Sequence, residues 1–119
     1  MQDNHKKCVL IVDDEPDIRD LLEMTVSAMQ LATCTAADIA SAKKQLARQS
    51  FDLCLTDMRL PDGDGLSLVS HIQKTAPGTP VAVITAHGSV EAAVTALKNG
   101  AFDFLSKPLD VANLRNIIS

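Results

Sequence analysis

The chain of 119 residues is one domain's worth of polypeptide, long enough to bury a core without disulfide or metal staples. Its composition, 46% hydrophobic and 22% charged, excludes a disordered chain, and no stretch approaches the ~18 uncharged apolar residues of a membrane helix. The net charge of −4 argues against direct nucleic-acid binding, and the opening MQDNHKK precedes no signal-type apolar region, so a cytoplasmic protein is expected.

Cys8–Val12 (CVLIV) is a continuous apolar, β-branched run ending at Asp13, the pattern of a strand buried on both faces. Glu15-Pro16 opens a helix with proline at its first position, and Ile18, Leu21, Leu22, Val26 and Met29 follow at helical spacing. A weaker strand is predicted at Leu31–Ala36. Asp38 is placed to cap a helix whose buried face carries Ile39, Ala42 and Leu46. Phe51–Thr56 (FDLCLT) is a third strand ending at Asp57, and Arg59–Gly65 (RLPDGDG) is a loop dense in turn residues. Asp64 is positioned to cap a helix to about Thr75, and Ala76–Pro80 turns into a fourth strand, Val81–Ile84, ending at Thr85. Ser89 is expected to cap a helix with Val90, Ala93, Val94 and Leu97 on one face, closed by Gly100. Phe102–Ser106 is a fifth strand ending at Lys107-Pro108, and Asp110 caps a last helix containing Leu114, Ile117 and Ile118. Five such βα units imply an open parallel sheet with helices on both faces. Cys8, Cys34 and Cys54 are far apart in the chain, form no C-x-x-C pair, and read as small buried hydrophobes in a reducing compartment.

Open parallel sheets bind ligands at the carboxyl ends of their strands. Those ends carry Asp13 and Asp14, Asp57, Thr85 and Lys107. Three carboxylates in one pocket repel, so at least one pKa is expected to rise unless a cation sits among them. Mg²⁺ suits such a site, because it takes oxygen ligands and commonly uses one or two carboxylates plus a phosphate oxygen. Lys107 adds a compact positive charge for an anionic phosphoryl group, and Thr85 a hydroxyl donor. One carboxylate can then attack phosphorus, with the metal and Lys107 offsetting charge on the transferring group. Taken singly, each residue has a plainer reading. Asp14 favours the start of a helix, Asp57 opens a turn, and Thr85 and Lys107 are loop residues. Their convergence on one sheet edge is what points to a site.

The segments VLIVDDEPDIRDLL, FDLCLTDMRLPDGDGL, VAVITAHGS and GAFDFLSKP resemble the receiver domain of two-component response regulators, over about residues 7–118 and with the motif order intact. The resemblance implies a flavodoxin-like (βα)5 doubly wound sheet of order 2-1-3-4-5. It implies one receiver domain over residues 1–119, with output domains outside this chain. It assigns Asp57 as phosphoacceptor for a phosphohistidine on a sensor histidine kinase. Asp13, Asp14, Asp57 and the backbone carbonyl of Arg59 would hold Mg²⁺. Thr85 matches the switch hydroxyl, Ala86 a small residue that leaves the phosphorus accessible, Lys107 the family's lysine, and Phe104 the switch aromatic three residues before it. The Lys107–Pro108 bond is usually cis in the family. In the implied switch, Thr85 moves to the phosphoryl group and Phe104 rotates inward. The face of the fourth helix, fifth strand and fifth helix then changes partners, with a homodimer through that face as one outcome. The simpler reading of Phe104 is a core aromatic.

By the same resemblance, Arg59 and His87 match positions that influence phosphoryl lifetime in the family, His87 reading more readily as an exposed loop residue, while His5 and His71 look incidental. The wording ITAHGSVEAAVTALKNGAFDFLSKP is typical of NtrC-type regulators, which drive transcription by sigma-54 and continue into an AAA+ ATPase and a DNA-binding domain. FDLCLTDMRLPDGDGLSLV resembles activators of type IV pilin genes. The chain has no G-x-x-x-x-G-K pattern of its own. Three other readings compete. A stand-alone receiver signalling by protein–protein binding would share every site residue. A Mg²⁺-dependent aspartyl phosphohydrolase normally carries D-x-D, whereas Asp57 is followed by Met58 and Arg59. A flavin-binding module would want Trp or Tyr, and the chain has neither. The domain is therefore expected to assist its own phosphorylation and dephosphorylation without being a turnover enzyme.

Overall fold

The computed structural model describes residues 7–85 and 90–118. Five strands, β1 (Cys8–Val12), β2 (Ala32–Ala36), β3 (Leu53–Asp57), β4 (Val81–Thr85) and β5 (Asp103–Ser106), alternate with five helices. The helices are α1 (Pro16–Ala28), α2 (Ile39–Arg48), α3 (Gly65–Thr75), α4 (Val90–Lys98) and α5 (Val111–Ile118). The strands form one sheet in the order β2-β1-β3-β4-β5, and every pairing is parallel. This is the order implied by the resemblance.

The core explains why β1 reads as unbroken apolar sequence. Leu10 and Val12 enter a cluster with Ile39, Ala42, Leu68, Val69, Ile72 and Ala96 from α2, α3 and α4. Val9 and Ile11 point the other way, to Leu22 and Val26 of α1 and Leu114 of α5. Each fully buried Leu or Ile contributes roughly 1.5–3 kcal/mol. Both faces of β1, β3 and β4 are therefore desolvated, and alternation is absent from their sequences.

Where they are described, helix starts follow the expected chemistry, with Pro16 in the first turn of α1. Asp38 accepts from the Ser41 amide at 2.7 Å, and Asp64 from the Ser67 amide at 3.0 Å. Asp110 accepts from the Ala112 amide at 3.0 Å. Glu15 sits at the N-cap of α1, but its side chain caps nothing. Gly100 follows α4 with φ +116°, the left-handed conformation that suits a helix-terminating glycine. The Lys107–Pro108 peptide is cis.

Several expectations need correction. β2, β3 and β5 begin one or two residues later than the apolar runs suggested, because Leu31, Phe51 and Phe102 precede the ladder rather than join it. The loop after β3 contains a two-residue antiparallel ladder, Arg59–Leu60 against Gly63–Asp64. In α4 the expected stripe is largely solvent-facing, with Val90 71%, Val94 44% and Leu97 40% exposed. The helix buries Ala93 of that stripe together with Ala96, so the buried face is rotated by about a quarter turn at 3.6 residues per turn. Of the cysteines only Cys54 is buried. Cys8 and Cys34 are half-buried, and their sulfurs lie 4.0 Å apart across β1 and β2. Ser89, the expected cap of α4, and His5 lie outside the described residues.

Candidate functional site

The strand order reverses between β1 and β3, which are hydrogen-bonded neighbours in the centre of the sheet. In doubly wound sheets this is where a crevice opens at the carboxyl ends. Register places the carboxylates there. Val12 is opposite Thr56, so Asp13 and Asp57 leave their strands side by side. The ladder continues past the strand ends through Asp13 N to Ala36 O at 3.1 Å, Met58 N to Ile84 O at 3.0 Å, and Lys107 N to Thr85 O at 2.9 Å. These bonds hold the functional residues on backbone that is already fixed.

Lys107 is the centre of the cluster. Its Nζ donates to Asp57 Oδ2 at 3.0 Å and Glu15 Oε1 at 3.3 Å, and lies 3.7 Å from Asp13 Oδ2. Burial works to lower the Lys107 pKa, but the Asp57 hydrogen bond and the charges of Asp13 and Asp57 outweigh it, and the net shift is upward. Lys107 stays a full cation. The other oxygen of Asp57, Oδ1, accepts from the Arg59 amide at 3.3 Å. Asp57 is thus oriented at both oxygens, one by a charge and one by backbone. Gly65 closes the turn behind it, donating to Met58 O at 2.7 Å. A Cβ at Gly65 would collide with the Asp57 carbonyl, so this position has no room for a side chain.

Asp13 is fully buried. Its Oδ1 accepts from the Glu15 amide at 2.9 Å and its backbone carbonyl from Arg19 Nη1 at 2.8 Å. Its Oδ2 has no hydrogen-bond partner. The pKa of Asp13 is raised to about 6, first by burial, against the Glu15 amide, with the Asp57 charge adding to the rise. One carboxyl is therefore perturbed as expected, with desolvation ahead of carboxylate repulsion as the cause. Ligand oxygens of Asp13, Asp14, Glu15 and Asp57 all lie within 4.8 Å of one another. The donor set fits a hard divalent cation, and the orphaned, buried Asp13 oxygen is the atom such an ion would satisfy.

The pocket over this cluster is lined by Asp14, Asp57, Met58, Arg59, Ala92 and Lys107. Thr85 is buried at the end of β4, and its hydroxyl donates to Leu105 O at 3.3 Å rather than to Asp57. Phe104 is 36% exposed on the edge strand β5, so it is not the plain core aromatic of the simpler reading. Ala86 and His87 lie outside the described residues. Glu15 was missed in the sequence, where it read only as the start of a helix. Its position directly after the Asp13–Asp14 pair was the available signal.

The response regulator receiver domain model matches residues 9–119. This chain belongs to the response regulator receiver domain family. The receiver is 60% identical over 110 residues to the response regulator protein PilR of Pseudomonas aeruginosa, covering 92% of this chain and 25% of PilR. It is 40% identical over 103 residues to the DNA-binding transcriptional regulator NtrC of Escherichia coli, covering 87% of the chain and 22% of NtrC. It superposes on the beryllofluoride-activated NtrC4 receiver domain dimer with a TM-score of 0.88 at 37% identity, covering 93% of this chain and 92% of that one. The chain spans about a quarter of the length of the curated relatives it matches. It is a receiver homologous to PilR and NtrC-type transcriptional regulators, consistent with phosphorylation-dependent two-component regulation.

Proposed function

We propose that Asp57 accepts a phosphoryl group from the phosphohistidine of a sensor histidine kinase and that this controls an NtrC-type transcriptional activator. The observation that carries the reading is the placement of Asp57, with Lys107 Nζ on one carboxylate oxygen and the Arg59 amide on the other at the head of the central strand. An oxygen of Asp57 forms the bond to phosphorus, the donor's N–P bond breaks, and the leaving histidine nitrogen retains the electron pair and takes a proton from water. Lys107 then faces the new anion as a fixed positive charge. Asp13, Asp14, Asp57 and the Arg59 carbonyl would hold Mg²⁺, with Glu15 beside them. The bound ion supplies charge compensation for the phosphoryl oxygens. Thr85 exchanges its bond to Leu105 O for one to the phosphoryl group, and Phe104 leaves the exposed edge for the space vacated. Ala86 leaves room at the phosphorus.

The relatives support a reading of the output. In a full-length protein the receiver would precede an AAA+ ATPase and a DNA-binding domain acting with sigma-54, and the PilR identity favours type IV pilus genes as the target. Residues 1–119 form the single receiver domain of this arrangement, in the cytoplasm. The exposed Val90, Val94, Leu97, Phe102, Phe104 and Val111 lie along α4, β5 and α5. With a related receiver known as a dimer, that face is the natural site of a phosphorylation-dependent homodimer. Turnover of a substrate is not part of this reading.

The test is intact mass after incubation with acetyl phosphate and Mg²⁺, with parallel samples lacking metal and carrying Asp57→Asn. A labile gain of one phosphoryl group, lost in both controls, is expected. No gain in any sample would leave a degenerate receiver serving as a constitutive interaction domain.

A further inference from the structure

The loop that carries Arg59, whose carbonyl the proposed Mg²⁺ site uses, has an anchor that is not among the residues lining the pocket. Asp62 lies at its tip, between the short strands Arg59–Leu60 and Gly63–Asp64. Asp62 Oδ1 accepts from the Ile39 amide at 2.8 Å and Oδ2 from the Ala40 amide at 3.0 Å, across 23 and 22 residues of chain. Asp38 takes the next amide, Ser41. The first three amides of α2 are thus satisfied by carboxylates, two of them by a residue from another element. The fit is close. A Cβ on Gly63, which has φ +152°, would come within 2.9 Å of Ile39 Cδ1. Ile39 is itself buried in the core, so the tip is tied to a rigid point. The two amides also hold the Asp62 carboxyl below the usual range.

A ladder of two residues per strand has little stability by itself. Its geometry must come from what holds its ends. One end is fixed by β3 and by the Gly65–Met58 hydrogen bond. The other is held by Asp62. We infer that Asp62 is a positioning residue for the metal and phosphoryl site: by clamping the hairpin tip onto the start of α2, it fixes the Arg59 backbone for the cation. The inference rests on the Mg²⁺ site proposed above.

The test is a Mg²⁺ titration of the intact chain followed by backbone amide NMR, without phosphoryl donor, beside thermal unfolding. Asp62→Ala removes both acceptors. Asp38→Ala removes a cap from the same helix start without touching the hairpin and controls for loss of helix stability. Asp62→Ala is expected to weaken Mg²⁺ binding by roughly 10-fold, the lower range for residues that orient metal ligands. Asp38→Ala is expected to lower the midpoint of unfolding and leave Mg²⁺ affinity unchanged. Asp62→Asn, which keeps one acceptor oxygen, is expected to recover part of the affinity. Equal weakening in Asp62→Ala and Asp38→Ala, or wild-type affinity in Asp62→Ala, would overturn the inference while leaving the site intact. A wild-type chain that binds no Mg²⁺ would overturn the underlying reading instead.

Discussion

Asp13 is held ionised at neutral pH against its environment, and replacing it with asparagine should stabilise the metal-free fold. Its pKa of about 6 against an ordinary 3.8 corresponds to about 3 kcal/mol, at ~1.36 kcal/mol per pH unit. The sign follows from proton affinity. The folded chain holds this proton more tightly than the unfolded chain, so the contribution is fully favourable below about 3.8 and is lost as pH rises to about 6. The groups facing Asp13 are Asp14, Glu15, Asp57 and Lys107. An asparagine side chain at this position would retain the acceptor for the Glu15 amide and carry no charge. Urea unfolding in chelator, at pH 5 and pH 7.5, measures the effect. Wild type should be more stable at pH 5 than at pH 7.5 by roughly 1–2 kcal/mol from this group. Asp13→Asn should be more stable than wild type by up to ~3 kcal/mol at pH 7.5, with that part of the pH dependence removed. Added Mg²⁺ should stabilise wild type and not the variant. An Asp13→Asn chain that is no more stable at pH 7.5, with the wild-type pH slope, would refute the argument that desolvation dominates at this carboxyl.

Other outcomes follow from particular contacts. Leu114 is the one fully buried side chain of α5, so Leu114→Ala should cost ~2–5 kcal/mol in chemical denaturation and raise amide exchange along that helix first. Gly65→Ala places a Cβ against the Asp57 carbonyl. It should cost ~1–3 kcal/mol or more in calorimetry and slow labelling of Asp57 by acetyl phosphate, whereas Gly78→Ala, which meets nothing within 4 Å, should do neither. Burial pushes the Cys54 thiol up to about 12 and the Cys8 thiol, beside Cys34, up to about 11. In native protein at pH 8, iodoacetamide should therefore modify Cys8 on the order of 100-fold and Cys54 on the order of 1000-fold more slowly than a free thiol, with the protection lost in urea. Rapid native modification of Cys54 would contradict its burial.

The strand–helix alternation was legible in the sequence because it rests on local properties. Continuous apolar runs marked β1 and β4 to within a residue, and Asp38, Asp64, Asp110 and Gly100 marked helix ends through bonds reaching only two or three residues along the chain. The convergence of Asp13, Asp14, Asp57 and Lys107 was legible too, since parallel strands bring their last residues to one edge whatever the details of packing. Other features depended on which segments the fold brings together. Glu15 meets Lys107 across 92 residues and Asp62 meets Ile39 across 23, and no periodicity records such distances. Both faces of α4 carry apolar side chains, so composition did not choose between them. The tertiary packing turned Ala93 and Ala96 to the sheet and left Val90, Val94 and Leu97 facing solvent. The raised pKa of Asp13 belongs to the same class. Sequence placed three carboxylates together, but the depth at which the end of β1 buries Asp13 is what raises the pKa of that carboxyl.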